Sequence, residues 1–162
     1  MQDQQEVHVE KTTIEDLDSP YDEIFGEGKF DPVSPDYIVF YNPHSDALIC
    51  AVESKPPFKT IRNEFVHANN GFVMRNLPDG AYTIKIYRGS DWSVSKRTPD
   101  GQKLGGFLKD ETFLRVAAPP FKLNGVKGGK KPAHFCDTLF LDTTALKMET
   151  ISRKDFFDPG LK

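Results

Sequence analysis

From Tyr37 onward, short apolar runs alternate with turn-forming tracts. YIVFY (37–41) is dense in β-branched and aromatic residues, which suit a pleated, half-buried surface, and Asn42-Pro43-His44-Ser45-Asp46 closes it with turn chemistry. ALICAVE (47–53) follows and ends ahead of Pro56-Pro57, a pair that denies a ladder two N–H donors. In TIRNEFVH (60–67), Ile61, Asn63, Phe65 and His67 alternate with Arg62, Glu64 and Val66. Asn69-Asn70-Gly71 is a turn signal at the head of FVMRN (72–76). Leu77-Pro78-Asp79-Gly80 is a stronger one, because Pro presets φ and Gly takes a positive φ without steric cost. AYTIKIYR (81–88) then places Tyr82, Ile84 and Ile86 on one face and Thr83, Lys85 and Tyr87 on the other. The pattern predicts five short strands joined as an antiparallel meander, with Tyr82, Ile84 and Ile86 toward the core.

The second half is less regular. Ser90 to Gly106 is polar and Gly-rich around Trp92, with a reversal at Pro99-Asp100-Gly101. FLKDETFLRV (107–116) predicts a strand or a short irregular pair, and HFCDTLFLD (134–142) and LKMETI (146–151) the last strands. Ser152 and Asp155 are spaced for a capping interaction at one final helical turn. Before Tyr37 the chain is polar and broken by Pro20, Gly26, Gly28, Pro32 and Pro35. Thr13 and Asp16 are spaced to cap a single turn over 12–17. Tyr21, Ile24, Phe25 and Phe30 are too apolar for a free tail, so this arm is expected to pack across the domain. The fold class expected is mainly β: an antiparallel sandwich of seven or eight strands over 37–162, with an irregular N-terminal arm over 1–36.

The chain has 162 residues, 38% of them hydrophobic and 28% charged, with thirteen Phe. A chain of this length buries roughly 70% of its unfolded surface and needs no covalent staples. A formal net charge of −3 supplies no basic field for phosphates, so no nucleic-acid partner is expected. Lys127, Lys130 and Lys131, interleaved with Gly128 and Gly129, read as a solvated loop. No apolar run approaches the ~20 residues of a membrane span, and no signal-peptide core follows Met1. Cys50 and Cys136 fit neither a zinc set nor a disulfide framework; buried free thiols are expected, with one bridge between neighbouring strands as the alternative.

No common catalytic or metal motif is present, and neither metal nor cofactor is expected. Of the four histidines, His67 and His134 fall in strand runs, where a half-buried, satisfied imidazole is the simpler reading. Asp16, Asp18 and Asp22 form only a partial, irregular set for calcium. Asp110 and Glu111 are adjacent, and a hydrolase would need one of them to share a cleft with a second carboxylate or a His. Tyr87 and Trp92 are the candidate ligand- or partner-binding residues: a Tyr and a Trp near a loop edge can stack on a sugar or anchor an interface. Trp92 can equally fold back and plug the open end of the sandwich.

NLPDGAYTIKIYRGSDW (76–92) followed by GGFLKDETF (105–113) resembles a group of uncharacterised proteins of Bacteroidetes-type bacteria. The matching positions are Pro78, Gly80, Tyr82, Tyr87, Gly89, Trp92, Gly105, Gly106, Phe107, Asp110, Glu111 and Phe113. Upstream, Pro20, Tyr21, Phe25 and Gly26 of SPYDEIFG also match. The resemblance runs loosely over 20–115 and departs past Arg115. It implies a membrane-associated or extracytoplasmic bacterial setting, although the N-terminal anchor those proteins often carry is absent here. It implies no catalytic residues. The Leu-Pro-x-Gly-x-Tyr start of the strand is also similar, at the level of fold, to transthyretin-like and carboxypeptidase-regulatory-like sandwiches, mostly non-catalytic accessory modules.

The expectation is therefore a non-enzymatic interaction or structural module with a protein partner. A carbohydrate- or small-ligand-binding module stands second and a divergent hydrolase third.

Overall fold

The computed structural model describes residues 13–43, 45–117, 119–123 and 147–157, together with the strand path of 136–140. It is mainly β. Strands β1 (Tyr37–Asn42), β2 (Asp46–Glu53), β3 (Thr60–Val66), β4 (Asn70–Met74) and β5 (Gly80–Ser93) are followed by β6 (Gly106–Val116), β7 (Phe121–Leu123), β8 (Cys136–Phe140) and β9 (Met148–Thr150). Two short helices, α1 (Asp22–Phe25) and α2 (Arg153–Phe157), lie outside the strand succession. The strands form a three-stranded sheet in the order β4-β1-β8 and a six-stranded sheet in the order β3-β2-β5-β6-β9, with β7 paired to the start of β5. All pairings are antiparallel except β1 with β8.

The first five strands are therefore not a simple meander. β1 pairs with β4 and β8 in the small sheet, while β2 pairs with β3 and β5 in the large one. The tract between β1 and β2 carries the chain from one sheet to the other, tied by Asn42 Nδ2 donating to Ser45 O at 2.5 Å. The physical reason lies in ALICAVE. A continuous apolar run must be covered on both faces, which requires an inner strand of a doubly covered sheet.

One core fills the space between the sheets. Ile38, Phe40, Phe72 and Met74 of the small sheet meet Ile49, Ile84, Ile86 and Leu114 of the large one, with Tyr82 and Val116 beside them. A second core covers the opposite face of the large sheet. There Leu48, Cys50, Phe65, Tyr87, Phe107 and Phe113 are roofed by Tyr21 and Phe25 of the arm and by Ile151 and Phe156. Tyr82 and Tyr87 are thus both buried although they point to opposite faces.

The arm also closes a sheet edge. β3 is the outermost strand of the large sheet, and unpaired edge groups invite pairing with other chains. Leu17 N–H donates to Phe65 O at 2.7 Å, Phe65 N–H to Asp18 O at 2.9 Å, and Lys29 N–H to Ile61 O at 2.9 Å. The helical turn expected over 12–17 does not form in the described part of that stretch. Asp16 is committed to His67 and Asn70 instead of capping, and among the described residues of the arm the helical turn is α1. At the other end the spacing does cap: Asp155 N–H donates to Ser152 Oγ at 3.0 Å. Lys85, buried under α2, donates from Nζ to Asp155 O at 2.8 Å.

Among the described residues no helix is long and apolar enough to cross a membrane. Lys127, Lys130, Lys131, His8, His44 and His134 lie outside the described residues. Cys50 is buried and free, and burial pushes its thiol pKa well upward.

Candidate functional site

The aromatic residues singled out in the sequence stand on β5, which is longer than AYTIKIYR suggests. It runs through Gly89 to Ser93 because Gly89 removes an obstacle: a Cβ there would lie 2.8 Å from Phe107 Cβ and 2.8 Å from Lys109 O. β6 crosses tightly at this point, placing Trp92 opposite Phe107 and Tyr87 opposite Phe113. The Tyr87 and Phe113 rings stack at 4.5 Å, nearly parallel, and Trp92 meets Phe107 edge-on at 4.9 Å. Gly105 provides the second clearance. It has φ +103°, and a Cβ on it would sit 2.7 Å from Trp92 Nε1, so any side chain there would both strain the backbone and strike the indole.

Tyr21 reaches this cluster from the arm. Its hydroxyl donates to Gly105 O at 2.7 Å, and its own N–H donates to Asn63 Oδ1 at 2.9 Å. Its ring lies 6.4 Å from Tyr87, stacked, and 6.0 Å from Trp92. SPYDEIFG and GSDW…GGF, separated by more than sixty positions, thus build one structure.

A charged group adjoins it. Tyr87 Oη accepts from Phe107 N–H at 2.8 Å and donates to Glu111 Oε2. Lys96 Nζ lies 2.7 Å from the same carboxylate oxygen and also donates to Phe107 O at 2.6 Å. The Arg153 guanidinium, from α2, takes Oε1 at 2.6 Å and lies 5.6 Å over the Phe113 ring. Partial burial alone would raise the Glu111 pKa. The bonds from Lys96 and Tyr87 and the charges of Arg153 and Lys96 outweigh it and hold the carboxyl below its ordinary value. The Tyr87 phenol moves the other way, upward, through burial and its bond to Glu111. Chemically the group is a clamp: an ionised carboxylate bridging two cations and a phenol, with both oxygens engaged.

Tyr87, expected as a stacking residue, is 2% exposed, with the rings of Phe113 and Tyr21 both stacked on it. Trp92 is half-buried in the second core. It lines a shallow recess with Thr13, Asp18, Pro20 and Leu104. Asp110 is exposed at a positive φ of 54°, at an irregular step of β6, and does not join Glu111 in the clamp. The acidic set of the arm disperses. Asp16 accepts from His67 N–H at 2.7 Å and Asn70 Nδ2 at 2.9 Å, and Asp22 accepts from Asn63 Nδ2 at 2.9 Å. Among the described residues no group of three or more His, Cys, Asp or Glu side chains is placed to hold a metal ion.

Lys96, Arg153 and Asn63 belong to this arrangement without having been singled out. Lys96 and Arg153 sit in polar stretches with no periodic signal. Asn63, a polar residue at an inward position of an alternating strand, carried the only hint.

No family model, no curated protein and no solved structure matches this chain.

Proposed function

We propose that the chain is a non-catalytic interaction or structural module that works within a larger assembly. One observation carries this reading. The converging aromatic and charged residues are spent on one another, whereas large apolar side chains stay exposed on the arm: Val33 at 76%, Phe30 at 58% and Leu17 at 54%. Isolated exposed apolar residues are ordinary, but three along the one arm offer a protein partner apolar side chains to cover. Phe30 is held ready by the Arg62 guanidinium, 3.7 Å from its ring centroid. The resemblance to Bacteroidetes-type proteins supports an envelope-associated setting. A photo-crosslinking residue at Val33, in cells of the source organism, is expected to give a discrete protein adduct that the Phe30→Ser change abolishes. A chain that stays strictly monomeric and yields no adduct would count against the module reading.

Binding of a carbohydrate or small ligand is the second reading, favoured by the half-buried Trp92 at the edge of its recess. Trp92 is the only tryptophan, so its emission should shift on titration with a responsive polysaccharide. Unchanged emission across a broad panel argues against that reading. A hydrolytic role would rest on Asp110 or Glu111, and the commitment of Glu111 to Lys96 and Arg153 favours the module over it.

A further inference from the structure

Two asparagine side chains tie the arm down, and they differ in chemical durability. Asn63 accepts the Tyr21 N–H on Oδ1 at 2.9 Å and donates from Nδ2 to Asp22 Oδ1 at 2.9 Å. It is 2% exposed, lies inside β3, and is followed by Glu64. Asn70 donates from Nδ2 to Asp16 Oδ2 at 2.9 Å. It is exposed at the head of β4, an outer strand of the small sheet, and is followed by an exposed Gly71. Its pairing with Asn42 is the end of the β1–β4 ladder.

An Asn side-chain amide is open to attack by the main-chain nitrogen of the next residue. That attack is least hindered when the next residue is Gly, which has no Cβ. Here the fold imposes the glycine, because a Cβ at position 71 would lie 3.0 Å from Phe40 O. Asn42, Asn63, Asn69 and Asn76 are followed by Pro43, Glu64, Asn70 and Leu77, all of them bulkier. The other Asn-Gly pair of the sequence, Asn124-Gly125, lies outside the described residues.

We propose that Asn70 is a self-modification site, and that its deamidation is a one-way switch that unlatches residues 13–18 of the arm and opens the Trp92 recess. The Gly71 nitrogen bonds to Asn70 Cγ, and its proton leaves with the side-chain amino group as ammonia. Water then opens the cyclic imide at one of its two carbonyl–nitrogen bonds, leaving Asp or isoaspartate at position 70. One water is consumed, one ammonia is released, and nothing is oxidised or reduced. The new carboxylate faces Asp16. Burial alone would raise the Asp16 pKa, but the bonds from His67 and Asn70 outweigh it and hold the carboxyl below its ordinary value. A hydrogen bond thus becomes a contact between two anions, which is repulsive. The isoaspartate product also adds a methylene to the main chain at the head of β4.

The effect falls on the start of the arm. Leu17 and Asp18, which bond Phe65 of the β3 edge, directly follow Asp16, and Thr13, Ile14 and Asp18 wall the recess of Trp92. Loosening this stretch uncovers both the edge and the indole. Tyr21 keeps its bonds to Asn63 and Gly105 O, so the arm is released at one end and not lost. This goes beyond the module reading and holds whatever the module binds.

Ageing the full chain in mildly alkaline buffer at physiological temperature tests it, with peptide mapping by mass spectrometry and hydrogen exchange followed together. Asn70 is expected to convert ahead of Asn42, Asn63, Asn69 and Asn76. Exchange at the Leu17 N–H should quicken in the converted chain by about tenfold, the worth of one hydrogen bond to a charged group. Trp92 emission should shift to the red in step. Asn70→Asp should reproduce both changes without ageing. Asp16→Asn/Asn70→Asp should reverse them, because amide and carboxylate have then changed places. Conversion at Asn70 no faster than at those four asparagines overturns the proposal. Unchanged Leu17 exchange in both the aged chain and Asn70→Asp overturns it as well. So does an Asn70→Ser chain, which forms no imide at this position, that loosens on ageing as much as the wild type.

Discussion

Replacing Tyr21 by Ala is expected to destabilise the protein by about 3–5 kcal/mol, the usual cost of deleting a large aromatic from a packed core. The residue precedes the first strand by sixteen positions and lies in an irregular segment, yet it is 1% exposed and central to the second core. Its removal strips cover from Tyr87, Trp92, Phe25 and Phe157, all of which it contacts as rings. It also leaves Gly105 O short of a donor or dependent on water, while the main-chain N–H that meets Asn63 Oδ1 remains. Tyr21→Phe separates the two contributions: it keeps the ring and loses the hydroxyl, with an expected cost of about 1 kcal/mol. Urea denaturation followed by Trp92 emission measures both, since the indole lies 6.0 Å from the Tyr21 ring. A loss below 1 kcal/mol for Tyr21→Ala would mean that the arm does not belong to the core.

Glu111→Ala should cost about 2–3 kcal/mol. Truncating one member of a fully buried ion pair costs about 3–5 kcal/mol. Glu111 keeps 20% of its side chain in contact with solvent, so part of that penalty is relieved by water and screening. What remains is the loss of the acceptor for Tyr87 Oη and of the anion between Lys96 and Arg153, which also loosens α2. The same group makes stability depend on pH. Its folded pKa lies below the ordinary 4.5, so the unfolded chain binds more protons in that range. The stabilisation is complete above pH 4.5 and is lost as the pH falls through the lower, folded value. Asp16, also held below its ordinary 3.8, adds in the same direction, whereas Asp22 and Glu64, raised chiefly by burial, oppose it. The informative quantity is therefore the difference between the wild type and Glu111→Ala. The gap in urea midpoint should narrow as the pH is lowered from 6 toward 3 (roughly the range in which a carboxylate titrates), and a constant gap would contradict the clamp.

Much of this architecture is written locally. Alternation in AYTIKIYR sends Tyr82, Ile84 and Ile86 to one face, where the structure has them in the first core. YIVFY, ALICAVE and TIRNEFVH fall in β1, β2 and β3, and the Ser152–Asp155 spacing heads α2. These features depend on neighbours a few residues apart, and side-chain period, turn chemistry and capping all act over that range. The pairing of strands does not. That β1 leaves β2 for β4 and β8 depends on which sheet supplies a second cover for the apolar run of β2.

The second core shows the same division more sharply. The sequence alone set Tyr87 on the face away from Tyr82, with Trp92 beyond a glycine, and it marked Tyr21 and Phe25 as too apolar for a free tail. Only the tertiary structure decided that these two facts answer each other, with the arm lying over the face that Tyr87 and Trp92 present. Lys96, Glu111 and Arg153 were brought together by the same closure. The reason is one of range. A strand's pattern determines that it has an apolar face, but not which distant segment has the shape, the anchor and the hydrogen-bond donors to cover it.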